Sequence, residues 1–156
     1  MDKKNALLLA LELLWWFITA MVVVAVLYPI QKAMHVWPFK VSNIVFIAVF
    51  LTLARYTFLL QHTFVARRQV LKIALMLLMF PLVFALIDGM HTFMNYVEER
   101  GWDTLTGHLP MGQKAAIERY IWNEMLFFGV GSIIAAPVFA GRLMMSIWRT
   151  RNRGTV

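Results

Sequence analysis

The sequence predicts an all-α integral membrane protein built as a bundle of four transmembrane helices. Three observations support this prediction: 61% of the 156 residues are hydrophobic, the mean hydropathy is +0.69, and the apolar residues fall into four long runs. A soluble domain is usually about 45–50% apolar. A water-soluble fold of this size could not hide the excess, because a small domain buries only about two-thirds of its unfolded surface.

Each of the four runs is long enough to cross a bilayer, since a transmembrane helix needs about 20 apolar residues. Within a single domain of residues 1–156, the expected spans cover residues 6–30, 42–64, 70–92 and 119–147. The first run exceeds the apolar region of a signal peptide, which has about 7–15 residues, so we expect it to remain as a membrane helix.

Local signals predict where some of these helices begin and end. Ser42 or Asn43 is expected to cap the second helix, because both side chains can accept a hydrogen bond from the first turn. Gly101 is expected to end the third helix, since glycine readily adopts the left-handed conformation of a C-terminal cap. Residues 101–112 contain three glycines and one proline, and we expect them to form a loop.

The basic residues predict the orientation of the chain in the membrane. The formal net charge is +7, and the Lys and Arg residues lie at the ends of the apolar runs, which favours a role in membrane orientation. With Arg55 set aside, nine basic residues fall on the side of the termini and five on the other. We therefore expect both termini in the cytoplasm, in a bacterial inner membrane, with helices three and four overhanging the outer side.

Glu12 and Arg55 are charged residues inside the first two predicted spans, where a charge costs several kcal/mol. Glu12 is early in the first helix, and Arg55 precedes the end of the second. Because consecutive spans run in opposite directions, both residues belong to the half of the membrane that is expected to face the cytoplasm. We expect an interhelical ion pair, which would either link the helices or form part of a proton or substrate site.

A polar stripe follows the outer half of the third helix. Asp88, His91, Asn95 and Glu98 are spaced three, four and three residues apart, so they share one face. Glu124 on the last helix is expected at a similar depth. Asp88, His91 and Glu124 are therefore candidates for a metal site or an acid–base catalytic site. The alternative is that the stripe is the water-facing side of an overhanging helix.

The last helix also carries a face of small residues, at Ser132, Ala136 and Ala140, spaced by four. Small residues let helices approach closely in lipid, where van der Waals contact drives their association. This face is expected to pack either within the bundle or against another subunit.

The chain contains no cysteine, which excludes disulfides, thiolate metal sites and iron–sulfur clusters for this chain. We expect no cofactor, with a metal ion at Asp88, His91 and Glu124 as the alternative. The expected function is that of an accessory or structural subunit of a larger membrane complex. The alternatives are a small membrane enzyme acting on a lipid or quinone at the outer interface, and a component of a proton or ion pathway. The expected partners are membrane lipids and other membrane-protein chains or further copies of this chain, and not nucleic acid.

Overall fold

A computed structural model of the protein describes residues 3–34, 36–60, 63, 65 and 68–152. Over these ranges the chain forms five helices and no strand: α1 (Lys3–Ala33), α2 (Lys40–Leu59), α3 (Gln69–Arg100), α4 (Asp103–Thr106) and α5 (Met111–Asn152). The four long helices, α1, α2, α3 and α5, are each long and apolar enough to cross a membrane. The prediction of an all-α protein with four candidate spans is therefore confirmed.

The start of α2 differs from the prediction. The helix begins at Lys40 after Phe39, and no side chain caps its first turn, so the expected cap by Ser42 or Asn43 is wrong. Both residues lie inside the helix, which leaves their side chains free to turn towards other helices. The predicted end of the second span, residue 64, lies outside the described residues.

The end of α3 agrees with the prediction. Gly101 has a φ of 69°, in the left-handed region that glycine tolerates, and its N–H donates to the carbonyl oxygen of Val97 at 3.0 Å. This bond satisfies one of the carbonyl groups that a helix leaves unpaired at its end.

The predicted loop after Gly101 contains a short helix, α4. The side chain of Thr106 donates to the carbonyl oxygen of Trp102 at 2.9 Å, and Leu105 is buried against the core. An ion pair between Lys114 and Asp103 ties α4 to the start of α5. A buried leucine and these local bonds order a segment that its glycines and proline had suggested to be irregular.

The long helices pack with α5 at the centre. Helices α2 and α3 pack extensively on α5, and α1 packs mainly on α2. Contacts such as Arg55 with Glu12 and Lys72 with Ser146 show that successive long helices run in opposite directions. The bundle thus has a termini end, where α1 starts and α5 finishes, and a hairpin end, which carries α4.

Two buried clusters fill the bundle. At the hairpin end, rings from the α1–α2 connection pack edge to face on α3: the centroids of Trp37 and Phe39 are 5.4 Å apart, and those of Phe39 and Phe93 are 5.3 Å apart. At the termini end, Leu53, Met79 and Phe139 form a second cluster. Edge-to-face pairs add stability beyond their buried area, so ring geometry helps to fix the packing at the hairpin end.

The small-residue face of α5 lies against the chain's own helices. Ser132 and Ala136 are completely buried, and Ala140 packs on the edge of the termini-end cluster. Nearby, a Cβ added to Gly129 would lie 2.8 Å from the sulfur of Met90, which explains how closely α3 and α5 approach.

Candidate functional site

An ion pair joins two of the candidate membrane spans, α1 and α2, near the termini end. Nη1 of Arg55 lies 2.9 Å from Oε2 of Glu12, so the two partners expected from the sequence are in contact. The hydroxyl of Tyr56 donates to the same carboxylate oxygen at 3.2 Å. The side chain of Arg55 is 8% exposed and that of Glu12 is 20% exposed, so both charged groups are largely enclosed by other parts of the protein. Mutual compensation is therefore the main reason that they can be held there.

Two aromatic rings complete this arrangement. The guanidinium carbon of Arg55 lies 5.5 Å from the ring centroid of Trp15 and 5.2 Å from that of Tyr56. Both distances are within the range of a cation–π interaction, which strengthens when the cation is desolvated. We call Glu12, Trp15, Arg55 and Tyr56 the ion-pair cluster.

The local sequence explains how the ion-pair cluster assembles. Glu12 and Trp15 are three residues apart on α1 and therefore share a helix face. Arg55 and Tyr56 are adjacent on α2, so their side chains diverge, and one ring contributed by each helix comes to lie near the guanidinium. Helix periodicity predicts the first relation, but the contribution of Tyr56 depends on how α2 is rotated against α1.

The ion-pair cluster borders a cavity of about 930 Å³, which we call the lateral cavity. Its walls come from α1, α2 and α3, with contributions from Val65 and from α5. The lining residues are Leu8, Leu9, Glu12, Trp16, Ala48, Val49, Thr52, Leu53, Tyr56, Val65, Leu71, Leu75, Met79, Leu82 and Phe139. Leu9 and Trp16 remain more than half exposed, so the α1 wall is open towards the surroundings of the bundle.

Four residues that line the lateral cavity carry polar side-chain atoms, Glu12, Trp16, Thr52 and Tyr56. The Tyr56 hydroxyl donates its hydrogen bond to Glu12, so its oxygen can only accept a hydrogen bond from any other group. The carboxylate of Glu12 is also acceptor-only while it is ionised. Because Arg55 balances the charge of Glu12, the site has little net charge and mainly offers hydrogen-bond acceptors.

The three residues of the other predicted site are divided between the outside and the inside of the bundle. Asp88 and His91 are exposed on α3, where the ring Nε2 of His91 lies 3.0 Å from Nδ2 of Asn95. Glu124 is buried on α5, and Oε1 accepts a 2.5 Å hydrogen bond from Nδ2 of Asn43 on α2. Within the described ranges, no group of three or more His, Asp and Glu side chains is arranged to hold a metal ion.

The rest of the polar stripe is also accounted for. Asn95 is half-buried beside His91, and Glu98 is exposed near the end of α3. The side of α3 that packs on the bundle is instead apolar, with Leu86, Met90 and Phe93 buried. The stripe thus follows the outside of α3.

Two polar residues that were not among the predicted site residues, Asn43 and Lys72, lie inside the bundle. Asn43 is completely buried against Glu124, and Lys72 is 2% exposed, with its ammonium donating to the hydroxyl of Ser146 at 3.0 Å. One signal for Asn43 was present, because an amide within an apolar run needs a partner. Lys72 follows Arg67 and Arg68 in the sequence, so it resembled another charge at a membrane boundary.

No protein-family model, curated protein or solved structure matches this chain.

Proposed function

We propose that this protein is a non-enzymatic membrane subunit that holds an amphipathic, long-chain molecule in the lateral cavity. The observation that carries the proposal is a large apolar cavity with an ion-paired, acceptor-rich cluster in its wall. Ligand sites are usually apolar concave spaces in which a few polar groups set the orientation of the ligand. The lateral cavity has this composition.

The size of the cavity favours a long-chain ligand. Its volume of about 930 Å³ lies near the upper end of the range of about 300–1,000 Å³ that is typical of small-molecule sites. Side chains such as Leu71, Leu75 and Met79 offer no hydrogen bonds, so this part of the cavity suits hydrocarbon. A molecule that diffuses in the bilayer can reach it through the open α1 wall, next to Leu9 and Trp16.

The polar wall of the cavity favours an uncharged head group with a hydroxyl. Glu12 and Tyr56 present acceptor oxygens, which an O–H donor would satisfy. A fully charged head group would find no counter-ion, since Glu12 and Arg55 already neutralise each other. A quinol and a glycerolipid with a free hydroxyl share this chemistry.

The accessory role is proposed from how the chain uses its polar residues. Glu12 with Arg55, Lys72 with Ser146 and Asn43 with Glu124 each connect two helices of the same chain. These pairs support a structural function because they hold the helices of the bundle together. We propose that the subunit acts within a larger membrane complex and presents the bound amphiphile there.

The test extracts the protein in native nanodiscs, without detergent, and identifies the small molecules that it retains. Ala48→Phe places a ring in the lateral cavity, and Ala25→Phe places the same ring on an exposed part of α1 outside it. We expect one amphiphile near one molecule per chain in the wild type and in Ala25→Phe, and its loss in Ala48→Phe. A retained molecule whose ultraviolet spectrum changes on oxidation is a quinol, and one whose spectrum does not change is a glycerolipid.

The same retained lipids in all three proteins would overturn the binding proposal. Native mass spectrometry of the same samples tests the accessory role separately. A stable assembly with a different membrane protein supports that role, and a chain that always appears alone contradicts it.

A further inference from the structure

A second buried carboxyl group, Glu124, lies at the hairpin end and is held in a different way from Glu12. Glu124 is 7% exposed, and its neighbour Asn43 is completely buried. The amide Nδ2 of Asn43 donates to Oε1 of Glu124 at 2.5 Å, a short contact between α2 and α5. We call these two residues the amide–acid pair.

The two remaining oxygens of the amide–acid pair indicate that Glu124 carries a proton. Oδ1 of Asn43 and Oε2 of Glu124 are both buried, and neither has a hydrogen-bond partner within the described part of the protein. If Glu124 is ionised, both atoms are acceptors and neither can satisfy the other. A proton on Oε2 turns Glu124 into a donor as well as an acceptor, so that acid and amide can form two hydrogen bonds.

The charges around the pair also favour a protonated Glu124. Towards α1, the hydroxyl of Tyr120 donates to the Val26 carbonyl at 2.9 Å, and the buried α3 side chains of the core cluster at this end, Leu86, Met90 and Phe93, are apolar. Lys40 on α2 and Arg119 on α5 are exposed, and the ion pairs of the described residues join other side chains. The partner that Glu124 does have is a neutral amide, which does not compensate a buried negative charge.

A small cavity connects this carboxyl group to the surface of the bundle. It has a volume of about 340 Å³, and Glu124 lines it together with Tyr120 and the exposed Asn123. Three of its six lining residues, Tyr120, Asn123 and Glu124, carry polar groups that can bind water, and its volume is large enough for water molecules, which occupy about 30 Å³ each in the liquid. Water in this cavity can bring a proton to Glu124 and take it away.

We propose that Glu124 is a proton-binding site, occupied at neutral pH, in which the acid and Asn43 share two hydrogen bonds. Binding transfers one proton from a hydronium ion in the small cavity to Oε2, which leaves a water molecule there, and release reverses this transfer. The site is separate from the lateral cavity and does not depend on what binds in it.

Infrared spectroscopy of the full chain in lipid tests this assignment, because the C=O stretch of a protonated carboxylic acid is distinct from that of a carboxylate. At pH 7 we expect a protonated-acid band that shifts in deuterated water and decreases reversibly at high pH. Glu124→Gln should remove it, while Asp88→Asn, which changes an exposed acid, should leave it in place. Asn43→Leu should keep the band but move it to higher frequency, because the carbonyl loses its amide donor.

The absence of any protonated-acid band in the wild type at pH 7 would overturn the proposal, and this outcome needs no variant. A band that persists unchanged in folded Glu124→Gln would overturn it as well.

Discussion

The two buried glutamates show two ways of placing a carboxyl group inside an apolar bundle. At the termini end, Glu12 pairs with Arg55 beside two aromatic rings and borders a large cavity. At the hairpin end, Glu124 is held by Asn43 in a closely packed core that includes Phe46. The first arrangement depends on opposite charges, and the second on a hydrogen bond to a neutral group. The difference indicates that the partner decides which form of a carboxyl group is favoured, because an opposite charge stabilises a carboxylate and a neutral amide can pair with a protonated acid. The predictions below test this contrast.

The largest effect is expected from removing the charge of each glutamate in turn. Glu12→Gln leaves Arg55 as an uncompensated buried charge, and we expect a loss of about 3 kcal/mol in the free energy of unfolding. Glu124→Gln keeps the shape of a neutral acid together with one donor and one acceptor for Asn43, so it should change that free energy by less than about 1 kcal/mol, the net value of a typical hydrogen bond. Reversible unfolding in mixed detergent micelles measures both values.

A double variant controls for the loss of the ion pair itself. Glu12→Gln combined with Arg55→Met removes both charges, and its stability should return to within about 1 kcal/mol of the wild type, because an apolar replacement of an ion pair is often neutral. Equal losses for the two glutamine variants would show that the contrast between the two ends is wrong.

A smaller effect is expected from adding volume at each end. Gly129→Leu forces a side chain against Met90 and should lose about 2 kcal/mol through overpacking. Gly141→Leu on the same helix is the matched control, since a Cβ there meets nothing within 4 Å. Ala48→Leu, which points into the lateral cavity, should not destabilise the protein. Thermal unfolding measures the stability of the three variants. If Ala48→Leu were the least stable, the hairpin end would not be the more closely packed of the two.

Removing the amide of Asn43 should cost less stability than removing the charge of Glu12. Asn43→Ala leaves the carboxyl group of Glu124 without its donor, and we expect a loss of about 1.5 kcal/mol, within the range for an unsatisfied buried polar group. The double variant Asn43→Leu with Glu124→Met should recover most of that stability in the same unfolding assay. A double variant no better than Asn43→Ala would mean that the site is stabilised by shape and not by hydrogen bonding.

The smallest effect is expected at Tyr56. Tyr56→Phe removes a 3.2 Å hydrogen bond to Glu12 but keeps the ring near Arg55, and it should lose about 0.6 kcal/mol, the average for such bonds between membrane helices. Tyr120→Phe, which removes the bond to the Val26 carbonyl, is the matched control. A loss at Tyr56 as large as that of Glu12→Gln would show that the hydroxyl, and not the charge of Arg55, holds the carboxylate.

Particular residues show how far the sequence could predict the candidate sites. The contact of Glu12 with Arg55 was predictable because both charges lie at similar depth on consecutive antiparallel helices, and each needs a partner. The association of Asp88 and His91 with Glu124 was inferred from depth alone. The structure places the first two on the outside of α3 and the third inside the bundle, because depth does not determine how a helix is rotated.

The sequence by itself determined that the chain has four apolar helices long enough to cross a membrane, and that the third ends at Gly101. Both follow from local physics, the hydropathy of a run and the conformational freedom of a glycine. Only the tertiary structure decided that Asn43 meets Glu124, that Lys72 meets Ser146, and that a cavity opens beside Glu12. In a nearly all-apolar helix no polar face marks the outside, so rotation and partner choice depend on packing between residues that are distant in the chain.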